Sequence, residues 1–132
     1  MTEHQLYTAH HTLKTFAGFL RYTEEIKELG ITRCEFIVND GTMVYYDTQG
    51  FRARSGDMYQ PLMIADPSSA AKLERAVFLH MAGQLDFPAL CRLAAGAGVE
   101  NWVIDINRML CIYYDQAGAK MLTEPIMQFS YA

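Results

Sequence analysis

The sequence predicts an α+β fold, one antiparallel sheet of about six strands with helices packed on it. Two observations carry the prediction. The first is a repeat. Tyr45, Tyr46, Asp47 and Gly50 recur as Tyr113, Tyr114, Asp115 and Gly118, and the same offset of 68 holds without a gap from Gly30 and Gly98 onward. Six of the 21 pairs in that window are identical, where average composition gives roughly one. The apolar positions match as well: Cys34 with Trp102, Phe36 with Ile104, Val38 with Ile106 and Val44 with Ile112. The second observation is a change of period inside each copy, from helical spacing to strand alternation. The chain is therefore read as a single domain of two pseudo-repeats, residues 1–65 and 66–132, each a helix-helix-hairpin-strand unit.

Taken in order, Thr2 and Gln5 form a capping box that opens a helix. Its apolar stripe is Leu6, Ala9, Leu13 and Phe16, with His10 inside the stripe and His4 and His11 outside it. A break is expected within residues 15–18, then a second helix to Leu29 that buries Phe19, Leu20, Tyr22, Thr23 and Ile26. Gly30 suits the left-handed residue that ends such a helix. Alternation of Cys34, Phe36 and Val38 follows. Asp40 and Gly41 then signal a two-residue hairpin turn that pairs Val38 with Met43 and Phe36 with Tyr45. Asp47 and Gly50 bracket the next turn, and residues 51–55 form a third strand. Leu62, Met63 and Ile64 are a short apolar piece that either pairs or packs.

Asp66 and Pro67 read as the cap and first residue of a helix running to Ala82. Its inward positions are Leu73, Ala76, Val77, His80 and Met81. Asp86 caps the next helix, from Phe87 to about Ala95, and Gly96 and Gly98 end it. Trp102, Ile104 and Ile106 alternate as their counterparts do, and residues 110–115 return. Met109 stands where the first copy has Gly41; a side chain disfavours positive φ, so a different turn is expected here. Residues 119–122 repeat the third strand.

A chain of 132 residues buries about two-thirds of its unfolded surface and needs no staples. A formal charge of −4, with its cations scattered, argues against nucleic-acid binding, which needs a clustered basic face. Arg52 and Arg54 are the closest pair and read as a solvated strand face. Cys34, Cys91 and Cys111 are odd in number and sit in apolar segments, as small core residues of a reduced protein do. There is no basic-then-apolar leader pattern and no long uncharged apolar run, so a soluble cytoplasmic protein that does not engage a membrane is expected.

From Gly98 through Trp102 to Asp105, followed by Tyr113, Tyr114, Asp115 and Gly118, the chain resembles a known group. Ile64, Ala65 and Asp66, His80 ahead of Gly83, and the pair Asp86 and Phe87 belong to the same likeness. It resembles the YbcV-like family of small bacterial and prophage-borne proteins, a domain-of-unknown-function group often labelled "phage envelope protein". The resemblance covers nearly the whole chain. It implies no established activity, substrate or catalytic residue.

No phosphate loop, zinc-spaced histidine pair or nucleophile elbow is present. His10 and His80 each lie on the apolar stripe of the first helix of their half. A shared pocket or general-base role is one reading; an imidazole hydrogen-bonded to a backbone carbonyl is the ordinary one. Asp47 and Asp115 are explained by turn chemistry. Asp105, which replaces Ile37 at the equivalent strand position, needs a wet face or a partner. In each Tyr-Tyr pair the two rings point to opposite faces, which makes Tyr46 and Tyr114 candidates for an exposed interaction patch. Most of the methionines read as core filler rather than a soft binding groove.

Two readings follow. The first is a non-catalytic interaction protein whose uncovered sheet face binds a second copy or a protein partner. The second is a ligand binder or enzyme with a pocket using His10, His80 and Asp105. The first is preferred because no nucleophile, base and acid assemble by spacing. No cofactor and no metal are expected in either.

Overall fold

The computed structural model describes residues 16–126, with side chains from residue 20 onward. The predicted first helix, with His4, His10 and His11, lies outside the described residues. Three helices and six strands follow in the order α1 (Phe16–Glu28), β1 (Arg33–Ile37), β2 (Thr42–Asp47), β3 (Gly50–Arg54), α2 (Ala70–Met81), α3 (Phe87–Ala97), β4 (Val99–Asp105), β5 (Leu110–Asp115) and β6 (Lys120–Pro125). The strands form one antiparallel sheet in the order β3-β2-β1-β4-β5-β6. The fold class is the α+β one that alternation and helical spacing predict.

Strand parity decides what is buried. Cys34, Phe36, Met43, Tyr45, Ala53, Trp102, Ile104, Cys111 and Tyr113 point to one face and are buried there. The helices supply the other half of this core through Tyr22, Ile26, Leu73, Val77, Phe87 and Leu90. Its aromatic centre is compact: Phe36 stacks on Trp102 with ring centroids 4.5 Å apart, and Phe87 meets both edge-on. On the α1 side the hydroxyls of Tyr22 and Tyr45 hydrogen-bond to each other inside the core. The pairing gives both otherwise dry hydroxyls a partner.

The turns depart from expectation. In the first hairpin Phe36 pairs Met43 and Ile37 pairs Thr42, so the register is two residues off the predicted one and four residues, 38–41, form the loop. Parity survives a shift of two, which is why the predicted faces hold. The Asp40 carboxylate accepts from Thr42 N at 2.9 Å and Gly41 N donates to Ile37 O at 2.8 Å. That loop needs positive φ at its last residue only, and Gly41 supplies it at 77°. The second hairpin uses the same loop, with Asp105 pairing Leu110. Met109 takes the Gly41 position at φ 54°, so the different turn expected from its side chain does not form.

The segment that follows β3 explains why Gly41 must be glycine. Residues 56–62 cross the hairpin tip, with Met58 N donating to Asp40 O at 2.8 Å and Leu62 N to Asn39 O at 2.7 Å. The Tyr59 hydroxyl donates to Val38 O. A Cβ on Gly41 would stand 2.5 Å from Met58 Cβ and 2.9 Å from Tyr59 Cε2. Leu62 and Ile64 pack against the core, Met63 between them is exposed, and the three form no strand.

Three helix boundaries move. α1 is helical from Phe16, so residues 16–18 hold no break, and residue 15 lies outside the described residues. α2 begins at Ala70, capped by Ser69, whose hydroxyl accepts from Lys72 N at 3.3 Å; Asp66 and Pro67, joined by a cis peptide bond, lie in the loop before it. α3 runs through Gly96 to Ala97 and ends at Gly98 (φ 94°), where a Cβ would stand 2.6 Å from Ser68 Cα. β6 is longer than predicted and carries Pro125 at its far end.

Matched irregularities mark both outer strand pairs. The β2–β3 pairing slips between Tyr45 and Tyr46, and the β5–β6 pairing slips between Tyr113 and Tyr114. The slips are β-bulges, which bend and twist the edges of a sheet.

Candidate functional site

The structure divides the predicted site residues between the two faces of the sheet. His80 is on the helix-covered face, 4% exposed, with its ring 6.1 Å from that of Phe87. Asp105, Tyr46 and Tyr114 are half-buried on the opposite face. His80 and Asp105 therefore do not meet, and His10 lies outside the described residues.

Around His80 the helices and sheet enclose a cavity of about 30 Å³ with Trp102, Tyr113, Cys111, Phe87 and Glu124 among its walls. That volume is on the scale of one or two water molecules. Burial pulls the His80 imidazole down to about 4, against a smaller upward pull from Asp86, so the ring is neutral at pH 7. Glu124 is pushed up by burial and by the nearby Glu74 carboxylate. Trp102 Nε1 is buried without a hydrogen-bond partner among the described residues. The three cysteines are free and buried; burial raises each thiol, that of Cys91 to about 12. Neither thiolate nor imidazolium is therefore available here at neutral pH. Among the described residues no group of three His, Cys, Asp or Glu side chains converges on a metal-sized point.

The opposite face has a different chemistry, set by cross-strand neighbours. One row reads Arg54, Val44, Glu35, Val103, Ile112 and Thr123 across all six strands, and the next reads Phe51, Tyr46, Arg33, Asp105, Leu110 and Pro125. Ile37 and Tyr114 flank them on the far side. The three described helices pack on the other side of the sheet, so no described helix covers these rows. Glu35, at the centre, accepts a hydrogen bond from Asn101 Nδ2 at 3.1 Å. At one corner the Arg33 guanidinium carbon lies 4.2 Å from the centre of the Tyr46 ring, which Phe51 meets edge-on at 6.5 Å. Phe51 is 65% exposed. Asp105 is the last residue of β4 rather than a mid-strand carboxylate, and it accepts from Arg108 N in the hairpin loop at 3.0 Å.

Asp47 and Asp115 are turn residues. Asp47 accepts from Gln49 N at 2.8 Å and pairs with Arg52 at 2.9 Å. Asp115 accepts from Ala117 N, Ala119 N and the Ser68 hydroxyl. Those bonds hold both carboxyls below the usual range. Arg33 and Phe51 were missed as members of the face, although strand parity places both beside Tyr46.

A small α+β domain with a one-sided sheet and a water-sized cavity beneath its helices is what these features define. The chain belongs to the family described as "Protein of unknown function (DUF1398)", which matches residues 7–125. It is also similar to the uncharacterized protein YcgX of Escherichia coli (strain K12), 38% identical over 53 residues. That match covers 40% of this chain and 40% of YcgX. No helix among the described residues is long and apolar enough to cross a membrane.

Proposed function

We propose that the protein is a non-catalytic binding module whose open sheet face associates with a second copy of itself. The carrying observation is the row Val44, Glu35, Val103 and Ile112, with Ile37, Leu110, Tyr46 and Tyr114 around it, left uncovered by the described helices. An antiparallel sheet that stays in water ordinarily makes its open face polar, and this one sets Val44, Val103 and Ile112 around the central Glu35. The charges suit self-association. Arg33 and Arg54 stand within the same patch as Glu35 and Asp105, so a twofold arrangement can set cation against carboxylate in both directions. Six strands at their usual spacing present roughly 400–500 Å² of projected face, or about 800–1,000 Å² over both partners, the size of a weak, transient interface. A dimer with a dissociation constant on the order of micromolar is expected.

We also propose that residues 1–65 and 66–132 are copies of one unit within a single domain. The matched bulges and the shared hairpin loop support that reading. Within the family, the motifs from Gly98 to Asp105 and from Tyr113 to Gly118 favour the YbcV-like, prophage-associated group, in a cytoplasmic setting.

Analytical ultracentrifugation across a concentration series tests the dimer. The informative variant is Val103→Arg, because Glu35 sits directly across from it and receives the new cation within one chain. Wild type should pass from monomer to dimer and Val103→Arg should remain monomeric with an unchanged melting temperature. A wild type that stays monomeric into the millimolar range, or a variant that dimerises as well as wild type, would refute the proposal.

A further inference from the structure

A second surface lies on the far side of the helices, away from the sheet. α2 and α3 pack as an antiparallel pair and leave between them a cleft of about 450 Å³, lined by Lys72, Arg75, Ala76, Leu79, Arg92, Leu93 and Gly96. Its charge is one-sided. Lys72 and Arg75 stand one turn apart on α2, Arg92 faces them from α3, and no acidic residue among the described residues lines the cleft. In a chain of net charge −4 such a cluster is against the average. None of the three cations makes an ion pair among the described residues. Between them the floor is apolar, and Leu93 is 45% exposed.

Gly96 supplies an independent observation. It lies inside α3, where glycine costs roughly 1 kcal/mol relative to alanine. Its φ is helical and nothing stands within 4 Å of the position its Cβ would occupy. The fold therefore gives no reason for a glycine there. Close approach of another backbone along the cleft does.

We propose that the α2–α3 cleft is a docking site for an acidic amphipathic helix of a partner protein. The cleft runs from Lys72 to Leu79, about two helical turns at 1.5 Å per residue, the length over which helix-in-groove recognition places its anchors. Apolar side chains of the incoming helix lie on Ala76, Leu79 and Leu93, with its backbone closest at Gly96. Its carboxylates meet Arg75 and Arg92, whose planar guanidiniums bind carboxylate in a bidentate fork. The cleft is open along its length, which suits a helix better than a small ligand that must be enclosed.

The test uses a fluorescein-labelled 14-residue helical peptide with Leu at i, i+4 and i+7 and Glu on both flanks of that stripe. A scrambled peptide of the same composition is the control. Fluorescence anisotropy with the full chain should give saturable binding of the patterned peptide that weakens at least tenfold between 50 and 300 mM salt. Arg75→Glu with Arg92→Glu should lower affinity at least tenfold. Gly96→Gln, which fills the open space and favours the helix, should abolish binding while raising the melting temperature, separating a blocked cleft from a damaged fold. Val103→Arg should bind the peptide as wild type does, so failure of the dimer reading and failure of this one are distinguishable. The proposal is overturned if the scrambled peptide binds equally, if no peptide binds at millimolar concentration, or if Gly96→Gln binds normally. It is likewise overturned if Arg92→Glu abolishes self-association, which makes the occupant a second copy, or if anionic phosphatidylserine vesicles occupy the cleft in preference to the peptide.

Discussion

Replacing Gly41 with alanine probes whether the segment 56–62 is bound to the hairpin tip as tightly as its contacts imply. Two penalties arise in the folded state. Alanine at φ 77° costs about 1–2 kcal/mol relative to a residue in an ordinary region. The new methyl would also stand 2.5 Å from Met58 Cβ, a separation that cannot be accommodated without moving the crossing segment. Moving it lengthens the Met58 N to Asp40 O bond and the bond from the Tyr59 hydroxyl to Val38 O, each contributing about 1 kcal/mol net. Gly41→Ala should therefore destabilise by about 2–4 kcal/mol, a fall of roughly 6–15 °C in melting temperature for a domain of this size. Urea unfolding followed by tyrosine and tryptophan fluorescence gives the number directly. The internal control is Met109→Gly at the equivalent turn, where Ile126 N donates to Met109 O at 2.7 Å. There the relief of positive-φ strain and the loss of a half-buried side chain oppose each other, and the change should stay within about 1 kcal/mol. If Gly41→Ala loses less than about 1 kcal/mol, the crossing segment yields easily and the account of Gly41 is wrong.

Two other outcomes follow from the buried titratable groups. Because the folded His80 imidazole lies below its unfolded value, the unfolded chain takes up the proton first. Stability tied to neutral His80 is fully present above pH 6.5 and is lost as pH falls toward 4, on the order of 3 kcal/mol in all; Glu124, whose carboxyl is raised by burial, acts in the opposite direction. His80→Gln should flatten the slope of unfolding free energy against pH between 6.5 and 4, and an unchanged slope would remove His80 as its source. The thiols of Cys34, Cys91 and Cys111 should resist a disulfide reagent at pH 8 in the native protein and react at three per chain in guanidinium. Rapid native reaction of even one would contradict its burial.

Local signals were readable where a single residue performs the local task. Gly30 and Gly98 end their helices at positive φ, Asp86 caps α3 through Ala89 N, and alternation of Phe36, Trp102 and Ile104 assigns the buried face. The first hairpin was misread because Asp40 and Gly41 suit two different turns. A two-residue turn would use both as corners, whereas the observed loop uses the Asp40 side chain as a cap and only Gly41 at positive φ. The start of α2 was misplaced for a similar reason. Asp66 and Ser69 are both chemically able to cap, and the choice is made by contacts distant in sequence, Ala65 N to Ala95 O and Ser69 N to Ala97 O. Parity assigns Tyr46, Tyr114 and Asp105 to one face of the sheet, yet no periodicity says which face the helices cover. The meeting of Lys72 and Arg75 with Arg92 depends on how two helices pack, so the cations look scattered along the chain.

The two bulges have a consequence for how this protein avoids its own aggregates. Strands β2 and β5 contain the runs Val44, Tyr45, Tyr46 and Cys111, Ile112, Tyr113, Tyr114, rich in the residues that stack into cross-β ladders. Each lies one strand in from the margin, shielded by β3 or β6. The shields resist extension. β3 is short and carries Arg52 and Arg54, β6 carries Lys120 and Pro125, and the bulges twist both away from a flat template. A newly folded copy thus offers its neighbours little to hydrogen-bond with along either margin. The hazardous interval is earlier, when β2 or β5 has formed and its outer neighbour has not.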